Sequence, residues 1–205
     1  MARPYTLGKR AVTAANTRQR ILDAARDVIA ADGVPQAGLA SIAERAGVTR
    51  TTVYQQFGSR EELLLAVVND ALDRADVRAV RKALQHRDAA RAARLLMRAS
   101  SHFWATEHRL FTNIKGLAEL DEAAHAVDIN KEGVRIGHIE NLAFRLAEQD
   151  KLRDDCSESH AVHILHLLTS FETFDQLHRL SRLRVDAVTS VLVAMLDGAV
   201  LRADA

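Results

Sequence analysis

From Gln36 to Ala205 the chain contains no proline; its two prolines lie earlier, at positions 4 and 35. Proline in a helix interior removes a backbone hydrogen bond and clashes with the preceding turn, so a stretch this long without it leaves helix open throughout. The period-two alternation of β-branched residues that marks strands appears nowhere at length. The expectation is an all-α protein of about nine helices. Ile21, Ala25, Val28 and Ile29 mark the first, closed by Gly33 and Pro35. Ser59 opens the fourth: with Glu62 it forms a capping box, and the stripe Leu63, Leu64, Val67, Val68, Ala71, Leu72 carries it into the mid-seventies or eighties. Further helices are expected near 88–105, 107–124, 127–150, 157–180 and 184–202. No internal repeat or low-complexity linker is evident.

Between helices 1 and 4, residues 38–64 read GLASIAERAGVTRTTVYQQFGSREELL. Leu39, Ile42, Ala43 and Ala46 make one apolar stripe on a short second helix, which Gly47 stops by supplying a left-handed residue. Thr49 caps a third helix whose inward residues are Val53 and Phe57, leaving Arg50, Thr51, Tyr54 and Gln55 outward. Two short helices crossing through one tight turn form a helix-turn-helix, and an exposed helix carrying a guanidinium, hydroxyls and an amide suits a DNA major groove. Arg50 is the first candidate for reading base edges, followed by Thr51 and Gln55. Thr49, Thr52, Tyr54, Arg60 and Ser41 are candidate phosphate contacts.

Charge supports this placement. Residues 1–60 carry nine Lys/Arg against four Asp/Glu, and the remainder nineteen against twenty-three, so the net +1 conceals a basic amino-terminal part. Arg3, Lys9 and Arg10 lie on an arm, residues 1–15, expected to be flexible and able to reach phosphate or the minor groove. No apolar run approaches the roughly 20 residues of a membrane span and no secretory apolar block begins the chain, so the expected location is cytoplasmic. Cys156 is the only cysteine, which excludes an intrachain disulfide.

From Thr17 to Val67 the chain resembles the DNA-binding domain of TetR-family transcriptional regulators. The resemblance rests on Ile21, Ala24, Ala25, Ala31-Asp32-Gly33, Ile42-Ala43, Ala46-Gly47-Val48, Val53-Tyr54, Phe57, Ser59 and Glu62-Leu63-Leu64. Ala37-Gly38 stands where that family usually has a Thr-Ser or Thr-Thr pair, Thr51 replaces a frequent glycine, Gln56 an aromatic or histidine, and Arg60 a lysine. The resemblance implies a homodimer in which each subunit has a helix-turn-helix domain, here residues 16–60, and a ligand-binding and dimerisation domain, residues 61–205. It also implies a repressor released from a double-stranded DNA operator by a small-molecule effector. Leu168–Leu177 resembles, more loosely, the penultimate helix of a subset of these regulators.

Later in the chain Ile164, Leu165 and Leu168 form one apolar row and Val188, Leu192 and Met195 another, the expected dimer interface. Met97, Phe103, Trp104, Phe111, Asn141, Phe144, His163, Phe171 and Phe174 are the candidate effector contacts, suited to a mostly hydrophobic molecule. His160, His163 and His166 recur every third residue, but no acidic or thiol ligand is spaced to complete a metal site, and neither metal nor cofactor is expected. Ser, His and Asp residues are scattered without a nucleophile elbow or phosphate loop, so an enzyme is not expected. The rival reading is a helical ligand-binding or adaptor protein whose helix pair serves packing alone.

Overall fold

The computed structural model of the protein describes residues 5–32, 38–75 and 77–203, with side chains for 12–31, 38–75, 77–122 and 124–203. These residues form eleven α-helices: α1 Tyr5–Asp32, α2 Leu39–Ala46, α3 Arg50–Phe57, α4 Arg60–Arg74, α5 Val77–Leu84, α6 Ala89–Thr106, α7 His108–Ala118, α8 Glu122–Glu148, α9 Glu158–Leu168, α10 Phe171–Asp175 and α11 Val185–Ala199. A π-helical turn, Gln176–Leu180, continues α10. Among the described residues no helix is long and apolar enough to cross a membrane. The all-α expectation holds.

Two compact units make up the chain: Met1–Ala71 with Arg109–Asp128, and Leu72–His108 with Ile129–Ala205. In the first, Ile21, Ala25 and Ile29 of α1, Ile42 of α2, Val53 of α3 and Leu63 of α4 are all buried. The segment that returns at Arg109 is tied to these helices by polar side chains. Asn113 of α7 donates from Nδ2 to the carbonyls of Ile29 and Ala30, at 2.6 and 3.4 Å, satisfying acceptors in the last turn of α1. Lys115 pairs with Asp128 at 3.0 Å. The packed unit thus extends past residue 60 to Ala71 and takes in Arg109–Asp128 as well.

The second unit has its own core, with Leu96 and Met97 of α6, Leu142 and Leu146 of α8, Leu165 of α9 and Leu192 of α11 among its buried members. Helix ends here are also closed by side chains from elsewhere. Arg145 of α8 donates to Leu84 O at 2.6 Å and to His86 O, holding the turn after α5. An isolated antiparallel bridge joins Leu152 to Leu201, with Arg153 N donating to Val200 O at 2.9 Å.

Three expectations need correction. Residues 5–15 of the expected flexible arm belong to α1, where Leu7, Lys9, Arg10, Ala11, Ala14 and Ala15 have good helix propensity; Arg3 and the side chains of Lys9 and Arg10 lie outside the described residues. The helix read over 157–180 breaks at Thr169-Ser170, and α5 stands as a helix of its own, so the helices number eleven rather than about nine. The break has a local cause. Thr169 Oγ1 bonds back to Leu165 O at 2.8 Å and Ser170 Oγ accepts Thr173 N–H at 3.1 Å, capping a new helix, while Trp104 Nε1 donates to Thr169 O at 3.0 Å.

Asp175 ends α10 with its side chain mostly covered, 2.8 Å from His108 Nε2 and bidentate to Arg179 of the π-helical turn. The Arg179 hydrogen bond, and behind it His108, hold its carboxyl below the ordinary carboxylate range. A lowered folded-state value means that its stabilisation is complete above the unfolded value near 3.9 and is lost as pH falls through the lower folded value. Asp175→Asn is expected to lower the thermal midpoint at pH 7, and the gap to the unaltered protein should narrow as melts are run from pH 5 down to pH 3.

Candidate nucleic-acid interface

The turn between α2 and α3 is closed from both sides. Gly47 has φ 63° and ψ 40°, the left-handed conformation; its N–H reaches Glu44 O at 3.0 Å and Val48 N–H reaches Ala43 O at 2.9 Å, a Schellman closure of α2. Arg20 of α1 donates from Nη2 to Ala46 O and, at 3.5 Å, to Gly47 O, placing a cation at the carboxyl end of α2. A Cβ on Gly47 would lie 3.2 Å from that nitrogen, so glycine serves both the turn and the approach of Arg20.

Across the turn Thr49 is extended, φ −84° and ψ 156°, and its Oγ1 accepts Thr52 N–H at 3.1 Å, the expected N-cap of α3. Val53 and Phe57 are buried. At the other end Gly58, φ 76°, donates to Tyr54 O at 2.7 Å, and Arg18 of α1 donates to Gln56 O. The Arg18 guanidinium carbon also lies 4.1 Å from the Phe57 ring centroid, a cation–π contact. Fixed by these contacts, α3 presents Arg50, Thr51, Tyr54 and Gln55 to solvent, with Tyr54 47% exposed.

The other candidate DNA residues are less free. Thr52 is half-buried, with its Oγ1 2.9 Å from that of Thr49. Ser41 is half-buried and donates to Gly38 O at 2.9 Å. Arg60, the first residue of α4, forms an ion pair with Asp121 in the turn between α7 and α8. The cap read at Ser59 is present: its Oγ accepts Glu62 N–H at 3.0 Å. Sequence reasoning passes over Arg18, Arg20 and Asn113, whose roles rest on partners 26 to 84 residues away.

The candidate effector residues have differing surroundings. Met97 and Phe174 are core residues at 0% and 1% exposure, Phe103 and Phe171 are buried beside half-buried Trp104, and Phe111 belongs to the first unit. Asn141 and Phe144 are exposed on α8. His163 borders a recess, open and about 360 Å³, whose lining includes Arg153, Cys156, His160, Ile164 and Ala199. Cys156 is buried there, and burial, then Asp155, pushes its thiol up, which disfavours thiolate chemistry. His166 bonds Glu132 at 2.6 Å, and among the described residues no group of three or more His, Cys, Asp or Glu is arranged to hold a metal ion.

The expected dimer rows are corrected in part. Leu165, Leu168, Val188 and Leu192 are at most 1% exposed and fill the second unit's own core, because that stripe is the one the unit needs for packing. Ile164 is half-buried, and Met195, 47% exposed, does face outward, joined on α9 by Leu167 at 57%.

Residues 21–67 match the family described as bacterial regulatory proteins, tetR family. A 60-residue segment is 53% identical to the uncharacterised HTH-type transcriptional regulator TtgW of Pseudomonas putida, covering 29% of this chain and 45% of that protein. The chain thus spans less than half the length of the curated relatives it matches. Among solved structures, the fatty acid degradation regulator FadR of Bacillus halodurans shares the fold with a TM-score of 0.69 at 21% identity, covering 87% of this chain and 93% of that one. NalD of Pseudomonas aeruginosa, described as the secondary repressor of the MexAB-OprM multidrug efflux pump, superposes with a TM-score of 0.67 at 19% identity, covering 93% and 98%.

Thr49→Ala is expected to destabilise the protein by about 1 kcal/mol by removing the N-cap, whereas Thr51→Ala, exposed and outside the cap, should stay within about 0.5 kcal/mol of the parent. Urea titrations of the two variants check both.

Proposed function

We propose that this chain, whose residues 21–67 match the tetR family of bacterial regulatory proteins, is a TetR-family transcriptional regulator: a homodimeric, sequence-specific DNA-binding repressor, cytoplasmic, released from its operator by a small, mostly hydrophobic effector. The observation that carries the reading is the outward face of α3: an arginine, a threonine, a tyrosine and a glutamine exposed together on a helix of eight residues braced at both ends. Arg50 at the amino end of that helix suits bidentate hydrogen bonding to guanine O6 and N7, and Thr51 and Gln55 flank it for neighbouring bases. Thr49, Thr52, Tyr54 and Ser41 supply hydroxyls for phosphate, which set register without reading sequence. A helical adaptor that used α2 and α3 for packing alone would have no use for this face.

Self-association is proposed through the outward side of α9 and α11, where exposed Leu167 and Met195 accompany half-buried Ile164. Two such helices from each chain would give the isologous interface that a twofold operator requires. A hydrophobic effector is favoured by the cluster of Phe103, Trp104 and Phe171, with ring centroids 4.7 and 5.4 Å apart in successive pairs, and by the named roles of two proteins with this fold, in fatty acid degradation and in efflux.

Arg50→Ala should weaken operator binding and relax its selectivity, at about 1–3 kcal/mol for the base pair it reads, with little change on unrelated duplex in gel shifts. Equal weakening on all duplexes would assign Arg50 to phosphate instead. Native mass measurement should give twice the 22.6 kDa chain for the parent and a single chain for the Leu167→Glu, Met195→Glu double variant.

A further inference from the structure

We propose that Asp121 is an internal competitor for DNA: it holds the Arg60 guanidinium in the free protein and gives it up to a phosphate when the duplex binds. This rests on the DNA-binding reading above.

Arg60 is the first residue of α4 and follows directly on Gly58-Ser59, the turn that ends α3, so it adjoins the element offered to the groove. Its chemistry is that of a phosphate contact, and sequence alone assigns it that role. In the structure the guanidinium is instead paired with the Asp121 carboxylate. Both side chains stay partly open, 31% and 23% exposed, so the pair is neither sealed nor rigidly desolvated. Ion pairs this accessible change an equilibrium constant by about fivefold or less, a strength that a phosphate oxygen can match. Carboxylate and phosphate both accept the same planar fork, which makes the exchange one of partner rather than of geometry.

Asp121 also has a structural role that the exchange leaves intact. Its Oδ1 accepts Ala124 N–H at 3.0 Å, capping α8, while Oδ2 faces Arg60. The carboxylate therefore stays in place when Arg60 leaves, and a shift in the first turn of α8 would carry it nearer to or farther from Arg60. That couples the position of one helix end to the number of cations available to DNA.

The test is a double-mutant cycle on binding to a random-sequence duplex at 0.15 M salt, where the Debye length of about 8 Å suppresses effects of distant charge. Asp121→Asn keeps a capping oxygen for Ala124 N–H but removes the charge, and Asp121→Ser, also a good cap, repeats the test should the amide variant fold poorly. With Arg60 present, the uncharged variants are expected to bind about fivefold more tightly. With Arg60→Ala they should change affinity by less than about twofold. Arg60→Ala alone should lower the slope of log K against log salt by about 0.9, as expected when the protein neutralises one phosphate fewer. An equal effect of Asp121→Asn in both backgrounds, weaker binding from it, or an unchanged salt slope in Arg60→Ala would overturn the competition. If the unaltered protein binds no duplex, the DNA-binding reading itself fails, which is a different and recognisable outcome.

Discussion

An eight-residue helix is too short to persist in water by itself, since helix nucleation is unfavourable and isolated helices of under about 12 residues are marginal. α3 is such a helix, and whatever the protein does with its exposed face depends on what holds it. Its amino end is fixed by Thr49 and by the left-handed turn at Gly47, its inner face by Val53 and Phe57, and its carboxyl end by Arg18. Remove these contacts and Arg50, Thr51, Tyr54 and Gln55 no longer share a direction. The preorganisation of the polar face is thus produced by groups that face away from it.

The same solution recurs through both units. Helix carboxyl ends leave carbonyls without intrahelical partners, and cations are favourable there. Arg20 serves α2, Arg18 serves α3, Arg145 serves α5 and Arg135 serves α9, where it donates to His166 O at 2.9 Å; Asn113 does the equivalent for α1. Each donor comes from a helix other than the one it closes. In a chain with many short helices and few glycines to end them, borrowed side chains terminate helices and fix tertiary contacts together. Arg60 differs in that its partner is a carboxylate rather than a carbonyl, a pairing that phosphate can replace like for like.

What can be read from sequence is local. The stripe Leu39, Ile42, Ala43, Ala46, the stop at Gly47, the cap at Thr49 and the inward pair Val53 and Phe57 all depend on residues within a turn or two of one another, and the structure has each of them. Where the reading fails, the missing information is long-range. Periodicity in α9 and α11 identifies an apolar row but not what lies opposite it, so it offers Leu165, Leu168, Val188 and Leu192 to a partner chain when their own unit's core takes them, and it overlooks Leu167, which the structure leaves exposed on α9. Aromatic spacing has the same limit: it does not reveal that Phe111 lies in the first unit while Phe103, Trp104 and Phe171 lie in the second. The break at Thr169-Ser170 is legible in principle, since both hydroxyls offer the backbone an alternative to continued helix, but a strong apolar pattern across it masks the signal.

The central claim is that a braced polar helix, duplicated by twofold symmetry, reads base edges. Selection of the purified protein on a pool of random duplexes tests it most directly. The account predicts enrichment of an inverted repeat with half-sites about one helical turn apart, or a multiple of that, centre to centre. A pool that emerges with no shared sequence, or with a lone unrepeated motif, contradicts it.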